Sequence, residues 1–189
     1  MRAMTWLSVA FILAATPAVA HNINSSYTTL IVRADSLFIR IAMDEHELLN
    51  GFDLDTNQDG VLWRSEMLAG APAVSEHLRD NVLRIKADGR LLSLKPRTAT
   101  VEPGADEGLY LVVPFVAFYT GIPARLDVEL DLTPAFGLAH RNLARIMLPD
   151  KPLQQAVFAR NALQHSFVIR DKPPSAFDRL VQLFQGWFE

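Results

Sequence analysis

The sequence of 189 residues contains no cysteine, which excludes disulfide bonds, thiolate metal sites and a cysteine nucleophile. It also lacks a strong excess of charge: 18 Lys and Arg stand against 21 Asp and Glu, for a formal net charge of −3. This mildly acidic balance argues against general nucleic-acid binding, which requires a basic face. No uninterrupted apolar run is long enough to cross a bilayer, so we expect no transmembrane helix within this sequence.

The first twenty residues have the pattern of a secretory signal peptide. Arg2 supplies the positive start, Trp6–Ala15 is an apolar stretch too short to span a membrane, and Ala18–Ala20 offers a small-residue cleavage site. We therefore expect segment 1–20 to be removed and the mature chain, beginning at His21, to be extracytoplasmic, in the periplasm. A buried N-terminal helix is the alternative interpretation.

Alternation of apolar and polar residues dominates the mature chain and predicts mainly β structure. We predict an antiparallel β-sandwich domain over 21–171. The Asp88-Gly89 pair predicts a type I′ hairpin turn, because both residues tolerate a positive φ. The predicted strands are 27–33, 37–43, 81–87, 91–95, 108–117 and 124–132, with weaker candidates at 143–148, 155–159 and 166–170.

Two regions depart from the strand pattern. The segment 44–78 reads as two helices around a polar loop, and its second helix carries an apolar stripe formed by Met67, Ala71, Val74 and Leu78. Pro72 lies inside that stripe and is expected to kink or split the helix. The tail 172–189 reads as an amphipathic helix after Pro173-Pro174, and it suits a lead-in to a membrane segment, an interfacial helix or a helix packed on the core.

One motif carries chemistry. The twelve residues Asp55–Glu66 match the EF-hand calcium-loop pattern D-x-[DN]-x-[DN]-G-x₅-E at every restricted position. Calcium prefers six to eight oxygen ligands, which we assign to the side chains of Asp55, Asn57, Asp59 and Glu66 and to the backbone carbonyl of Val61. The alternative is a solvated acidic turn that holds no ion.

Three further residues of the motif have defined tasks. Gly60 permits the sharp turn, and Leu62 anchors the loop to a core. Trp63 stands at the ninth position, where its side chain cannot ligate calcium, so a water should fill that place. The sequence contains no second loop of this kind, which favours a weak structural calcium site over a paired sensor. Magnesium fits less well, because it prefers a tight octahedron and retained waters.

The order of these features resembles the extracytoplasmic N-terminal region of the HupE/UreJ family of membrane proteins. The matching features are the signal peptide before His21, the strand start Ser26-Tyr27-Thr28-Thr29-Leu30, the acidic loop with Glu66, the hairpin Ala87–Arg90 and an aspartate-edged strand followed by His140-Arg141. The resemblance implies a membrane-associated protein with hydrogenase or urease accessory roles and nickel or cobalt transport. In the family those roles rest on histidines of membrane helices, which have no counterpart in this sequence.

The chain therefore suggests an exported, non-enzymatic calcium-binding domain, whose protein partner is not indicated. The alternative is a periplasmic module that handles nickel, cobalt or copper and is associated with a metal transporter, with the amine and imidazole of His21 as a possible second metal site. The other histidines, His46, His77, His140 and His165, favour structural roles. No G-x-S-x-G or H-E-x-x-H motif is present, and Asp127, Glu129 and Asp131 read as the solvated face of a strand.

Overall fold

The computed structural model of the protein describes residues 24–104, 108–148 and 151–170. Within these ranges the chain forms two packed β-sheets, and a helical insertion follows β2 of one sheet and precedes β3 of the other in the sequence. The predicted signal peptide, the predicted mature N-terminus His21 and the predicted tail helix 172–189 lie outside the described residues.

Eleven strands are found in the described part of the chain, most of them close to the predicted positions. The expected turn at Asp88-Gly89 has φ values of 48° and 82°, as a type I′ hairpin requires. The strands are β1 (Ser25–Val32), β2 (Ser36–Asp44), β3 (Leu83–Ala87), β4 (Arg90–Leu91), β5 (Lys95–Pro96), β6 (Thr100–Pro103), β7 (Leu109–Phe118), β8 (Arg125–Leu130), β9 (Arg141–Met147), β10 (Gln154–Phe158) and β11 (Gln164–Val168).

The predicted β-sandwich is confirmed. A seven-stranded sheet has the order β10-β9-β1-β2-β7-β5, with β6 also paired to β7, and a four-stranded sheet has the order β11-β8-β3-β4. All pairings among the named strands are antiparallel except one, since β1 and β9 run parallel with Ser26 opposite Asn142. A purely antiparallel arrangement was therefore wrong at this pair. Local alternation does not encode it, because β9 joins β1 from more than a hundred residues away.

The core lies between the sheets and explains the alternating pattern. On β2 the residues Leu37, Ile39, Ile41 and Met43 all have zero exposure, as the shared apolar face predicts. On the opposite sheet, alternate residues of β3 and β8 fill the same core, including Ile85, Leu126 and Val128. Within the described ranges, no helix is both long and apolar enough to span a membrane.

The helical insertion connects the two sheets. Asp44 ends β2 and caps the next helix, α1 (Glu45–Gly51), by accepting a 2.7 Å hydrogen bond from the Glu47 N–H. After the acidic loop, α2 (Arg64–His77) is followed by a π-helical turn, Leu78–Val82, which leads into β3. A short helix, α3 (Thr133–Phe136), packs against α1.

Pro72 was expected to kink or split the second helix of the insertion. The split does not occur, because Pro72 lies inside the 14-residue helix α2. The apolar stripe on this helix is confirmed, since Met67, Ala71, Val74 and Leu78 are all buried. Burial of this stripe offsets the hydrogen bond that a proline removes from a helix interior.

Candidate calcium loop

Two buried leucines fix the acidic loop to the body of the protein. Leu54 precedes the loop and Leu62 lies within it; they are 7% and 3% exposed, so the predicted anchoring by Leu62 is confirmed. The Leu54 side chain fills the space beside Gly70 of α2, where any larger residue would meet it. The loop therefore closes against its own exit helix.

Alternate side chains turn back toward the backbone of the loop. Asp55 Oδ2 accepts a 2.9 Å hydrogen bond from the Gly60 N–H, and Asn57 Oδ1 accepts one from the Asp59 N–H. Asp59 Oδ1 likewise accepts from the Val61 N–H. Gly60 has a φ of 79°, in the region that favours glycine, as its predicted turn role requires. Asp55, Asn57 and Asp59, three of the assigned ligand residues, thus lie on one tightly curled turn.

Glu66, the last motif residue, reaches back from α2 to the start of the loop. Its Oε1 accepts hydrogen bonds from the N–H and the hydroxyl of Thr56, at 2.9 and 2.8 Å, and its Oε2 accepts one from the Trp63 N–H at 3.1 Å. The Thr56 hydroxyl and then the Trp63 N–H hold the pKa of Glu66 below its ordinary value, so the carboxylate is ionised near neutral pH.

Trp63 has a role that the sequence did not indicate. Its indole N–H donates a 2.9 Å hydrogen bond to Asp59 Oδ2, which also accepts from the side-chain amide of Asn57 at 3.0 Å. The Trp63 indole, followed by the Val61 N–H, lowers the pKa of Asp59. Trp63 is 55% exposed. An aromatic side chain therefore lies along the loop beside a predicted ligand, although it cannot bind the ion itself.

One buried side-chain oxygen of the loop has no hydrogen-bond partner. Asp55 Oδ1 is buried and accepts no hydrogen bond, while Oδ2 of the same carboxylate is bound to Gly60. A buried carboxylate oxygen without a donor is costly, and a cation is the partner that most directly relieves it. Together with the oxygen-rich donor set, this orphaned atom fits a hard cation such as calcium.

The loop carboxylates nevertheless bond to donors of the loop rather than gather on a common centre. Across the described ranges, no three His, Cys, Asp or Glu side chains are grouped so that they hold a metal ion as they stand. Asp59 and Glu66 would have to exchange hydrogen bonds for contacts with an ion. The ligand set Asp55, Asn57, Asp59, Val61 and Glu66 therefore remains a prediction.

A second group of polar residues was missed by the sequence reasoning. Glu47 Oε1 lies 2.6 Å from His140 Nδ1, His140 Nε2 lies 2.9 Å from Ser26 Oγ, and the Asn142 amide donates to that oxygen at 2.7 Å. All four side chains are buried, and we call them the buried polar cluster. The Glu47–His140 contact has the distance of a charge pair without the alignment of a hydrogen bond. Burial raises the pKa of Glu47 against the opposing effect of His140.

The order Glu47, His140, Ser26 matches that of a catalytic triad, with the acid on Nδ1 and the hydroxyl on Nε2. Ser26, however, has zero exposure, and Asn142 already bonds to its hydroxyl oxygen. The neighbouring cavity, which His140 and Asn142 line, has a volume of about 10 Å³, room for one water at most. A substrate has no access to this serine, so the arrangement indicates a structural role.

The remaining candidate residues have ordinary partners. His46 is exposed beside Glu45, His77 packs edge-on against Phe52, and His165 lies within β11 beside the Val157 carbonyl. Asp127 pairs with Arg125 at 2.6 Å on the outer face of the smaller sheet, in agreement with a solvated strand face.

Comparison of the chain with protein-family models and with curated proteins finds no match. The resemblance to HupE/UreJ proteins thus rests on the residues quoted for it.

Proposed function

We propose that this protein binds one calcium ion in the loop Asp55–Glu66 and that its role is binding rather than catalysis. The observation that carries the proposal is the buried, unpartnered Oδ1 of Asp55 in a loop that matches the calcium motif throughout. Asp55, Asn57 and Asp59 would supply side-chain oxygens, Val61 its carbonyl and Glu66 both carboxylate oxygens. A water would fill the place beside Trp63.

The ion would stabilise the insertion where it crosses from one sheet to the other. The loop joins α1, which continues β2, to α2, which leads into β3. An ion bound to Asp55 at the start of the loop and to Glu66 in α2 would tie these two helices together. Because the ion binds the folded loop and not the unfolded chain, its binding free energy adds to the stability of the fold.

The wider assignment follows from the sequence features. The signal-peptide pattern supports an extracytoplasmic, periplasmic location, and the order of motifs supports a place in a HupE/UreJ-like membrane-associated protein. A nickel, cobalt or copper module with His21 as a ligand is the competing assignment. The choice between them is a choice between oxygen and nitrogen ligands.

Isothermal titration calorimetry tests the proposal directly. We expect the wild-type protein to bind one calcium ion and the Asp55→Asn variant to show no calcium heat. Asp53→Asn is the matched control, because Asp53 is exposed, carries the same charge and lies outside the motif. If wild type shows no heat with calcium up to about 10 mM, ten times the weakest typical dissociation constant of extracellular sites, the proposal is wrong. Tight nickel or copper binding in its place would favour the competing assignment.

A further inference from the structure

The buried polar cluster holds the entering helix of the calcium loop. Glu47 is on α1, Ser26 on β1 and Asn142 on β9, and His140 is the residue that precedes β9. Farther along α1, a Cβ on Gly51 would lie only 2.6 Å from the Phe136 ring, so this end of the helix also packs closely against α3. The Glu47–His140 contact connects α1 to the start of β9, and the Glu45 carboxylate accepts a hydrogen bond from the Leu109 N–H at the start of β7. Asp55 follows the end of this helix by four residues.

The charge on this connection depends on how many protons it carries. With one proton, the pair is either a carboxylate beside an imidazolium or a carboxylic acid beside a neutral imidazole, and both are balanced. With no proton, a buried carboxylate faces a neutral ring, while its Oε2 has no hydrogen-bond donor. An uncompensated buried charge is strongly unfavourable.

The groups of α1 and α3 near the pair do not balance the negative charge that remains on Glu47 when the proton is lost. Asp44, which caps α1, repels a charged Glu47. The Glu45 carboxylate accepts a hydrogen bond from the N–H of Leu109, and the side chain of His46 is 80% exposed to solvent. The helix α3 contributes Phe136 to the ring of His140 and carries no charged residue. Loss of the proton therefore weakens the attachment of α1 without compensation from its neighbours.

We propose that Glu47 and His140 are positioning residues for the calcium loop, and that calcium binding is coupled to the uptake of a proton by this pair. The inference rests on the proposed function. The protonated pair keeps α1 docked, so that Asp55 is presented in the binding arrangement. By linkage, calcium favours the protonated pair just as protonation favours calcium. The proton comes from solvent and is held on the imidazole or the carboxylate.

The sign of this coupling makes it easy to recognise. Protons compete with calcium for ligand carboxylates, so calcium loops ordinarily bind more tightly, or equally well, as pH rises. Here we expect wild-type affinity to fall by about tenfold as the pH rises and the pair loses its proton, within the usual range of coupling between two sites.

Calcium titrations in two buffers with different ionisation enthalpies count the protons exchanged. Titrations are run at several pH values, and where the affinity falls with pH we expect net proton uptake by the wild-type full chain. Glu47→Gln should bind calcium with no uptake and a flat pH profile. The matched control is His46→Gln, since His46 is on the same helix but exposed, and it should behave like wild type.

The outcomes separate the two proposals. Calcium binding with proton release, or with no exchange, overturns the coupling and leaves the proposed function intact. Retention of proton uptake in Glu47→Gln also overturns it. An absence of calcium heat at every pH refutes the proposed function, on which the coupling depends. If Glu47→Gln does not fold, the wild-type proton count decides the question alone.

Discussion

The Asp55→Asn substitution separates calcium binding from the intrinsic stability of the loop. The new side chain keeps an oxygen that can accept the 2.9 Å hydrogen bond from the Gly60 N–H. At the other position it exchanges a buried, unpartnered carboxylate oxygen for an amide without an acceptor. These two changes oppose each other, so we expect the free energy of unfolding in chelator to stay within about 1 kcal/mol of wild type.

The effect of calcium should then differ sharply between the two proteins. With a dissociation constant of about 10⁻⁴ to 10⁻³ M, roughly 10 mM calcium stabilises wild type by about 1.4 to 2.7 kcal/mol. For a chain of this size, that raises the melting temperature by about 3 to 11 °C. Asp55→Asn should lose this increment, and Asp53→Asn should keep it. Thermal unfolding in calcium and in chelator measures both, and an undiminished calcium shift in Asp55→Asn would refute the reasoning.

Three further predictions follow from neighbouring contacts. Glu66→Ala should abolish the calcium shift and also lower the melting temperature in chelator, because it removes the acceptor of three hydrogen bonds; an unchanged melting temperature would contradict this. Gly60→Ala should cost about 1 kcal/mol in chemical denaturation, owing to the positive φ, and should weaken calcium binding in calorimetry. Because the pKa of Glu47 is raised in the folded state, its contribution to stability is present below its unfolded pKa and is lost as pH rises through the folded pKa. The free energy of unfolding of Glu47→Gln should therefore fall less steeply with rising pH than that of wild type. An identical pH dependence of the two proteins would show that Glu47 does not cause the loss of stability.

Much of the fold follows from local patterns. The alternation on β2 and β8 reflects burial of one strand face, and Asp88-Gly89 forms the expected hairpin turn. Other features depend on distant partners. The pairs Lys95–Pro96 and Arg90–Leu91 are too short to show a period, so the predicted strand 91–95 is wrong and the structure has β4 and β5 instead. The π-helical turn Leu78–Val82 occupies the place where a strand was expected to begin.

The acidic loop and the buried polar cluster also differ in whether local sequence patterns predict them. The turn at Gly60 could be predicted, because each motif residue acts on neighbours within a dozen positions. The Glu47–His140 contact joins residues 93 positions apart, beyond any local pattern. A weaker signal was available: Ser26 and Asn142 are polar residues at inward positions of alternating strands, where a buried partner is required.

Terbium luminescence provides the most direct test of the calcium loop, because Tb³⁺ is a hard, oxygen-seeking cation and Trp63 lies beside the predicted ligand Asp59. Excitation of tryptophan should produce sensitised terbium emission that saturates at one ion per chain and is displaced by calcium. The emission should be lost in Trp63→Phe, which retains Trp187, and in Asp55→Asn. No emission from wild type, or emission that persists in Asp55→Asn, would contradict the assignment of an ion to this loop.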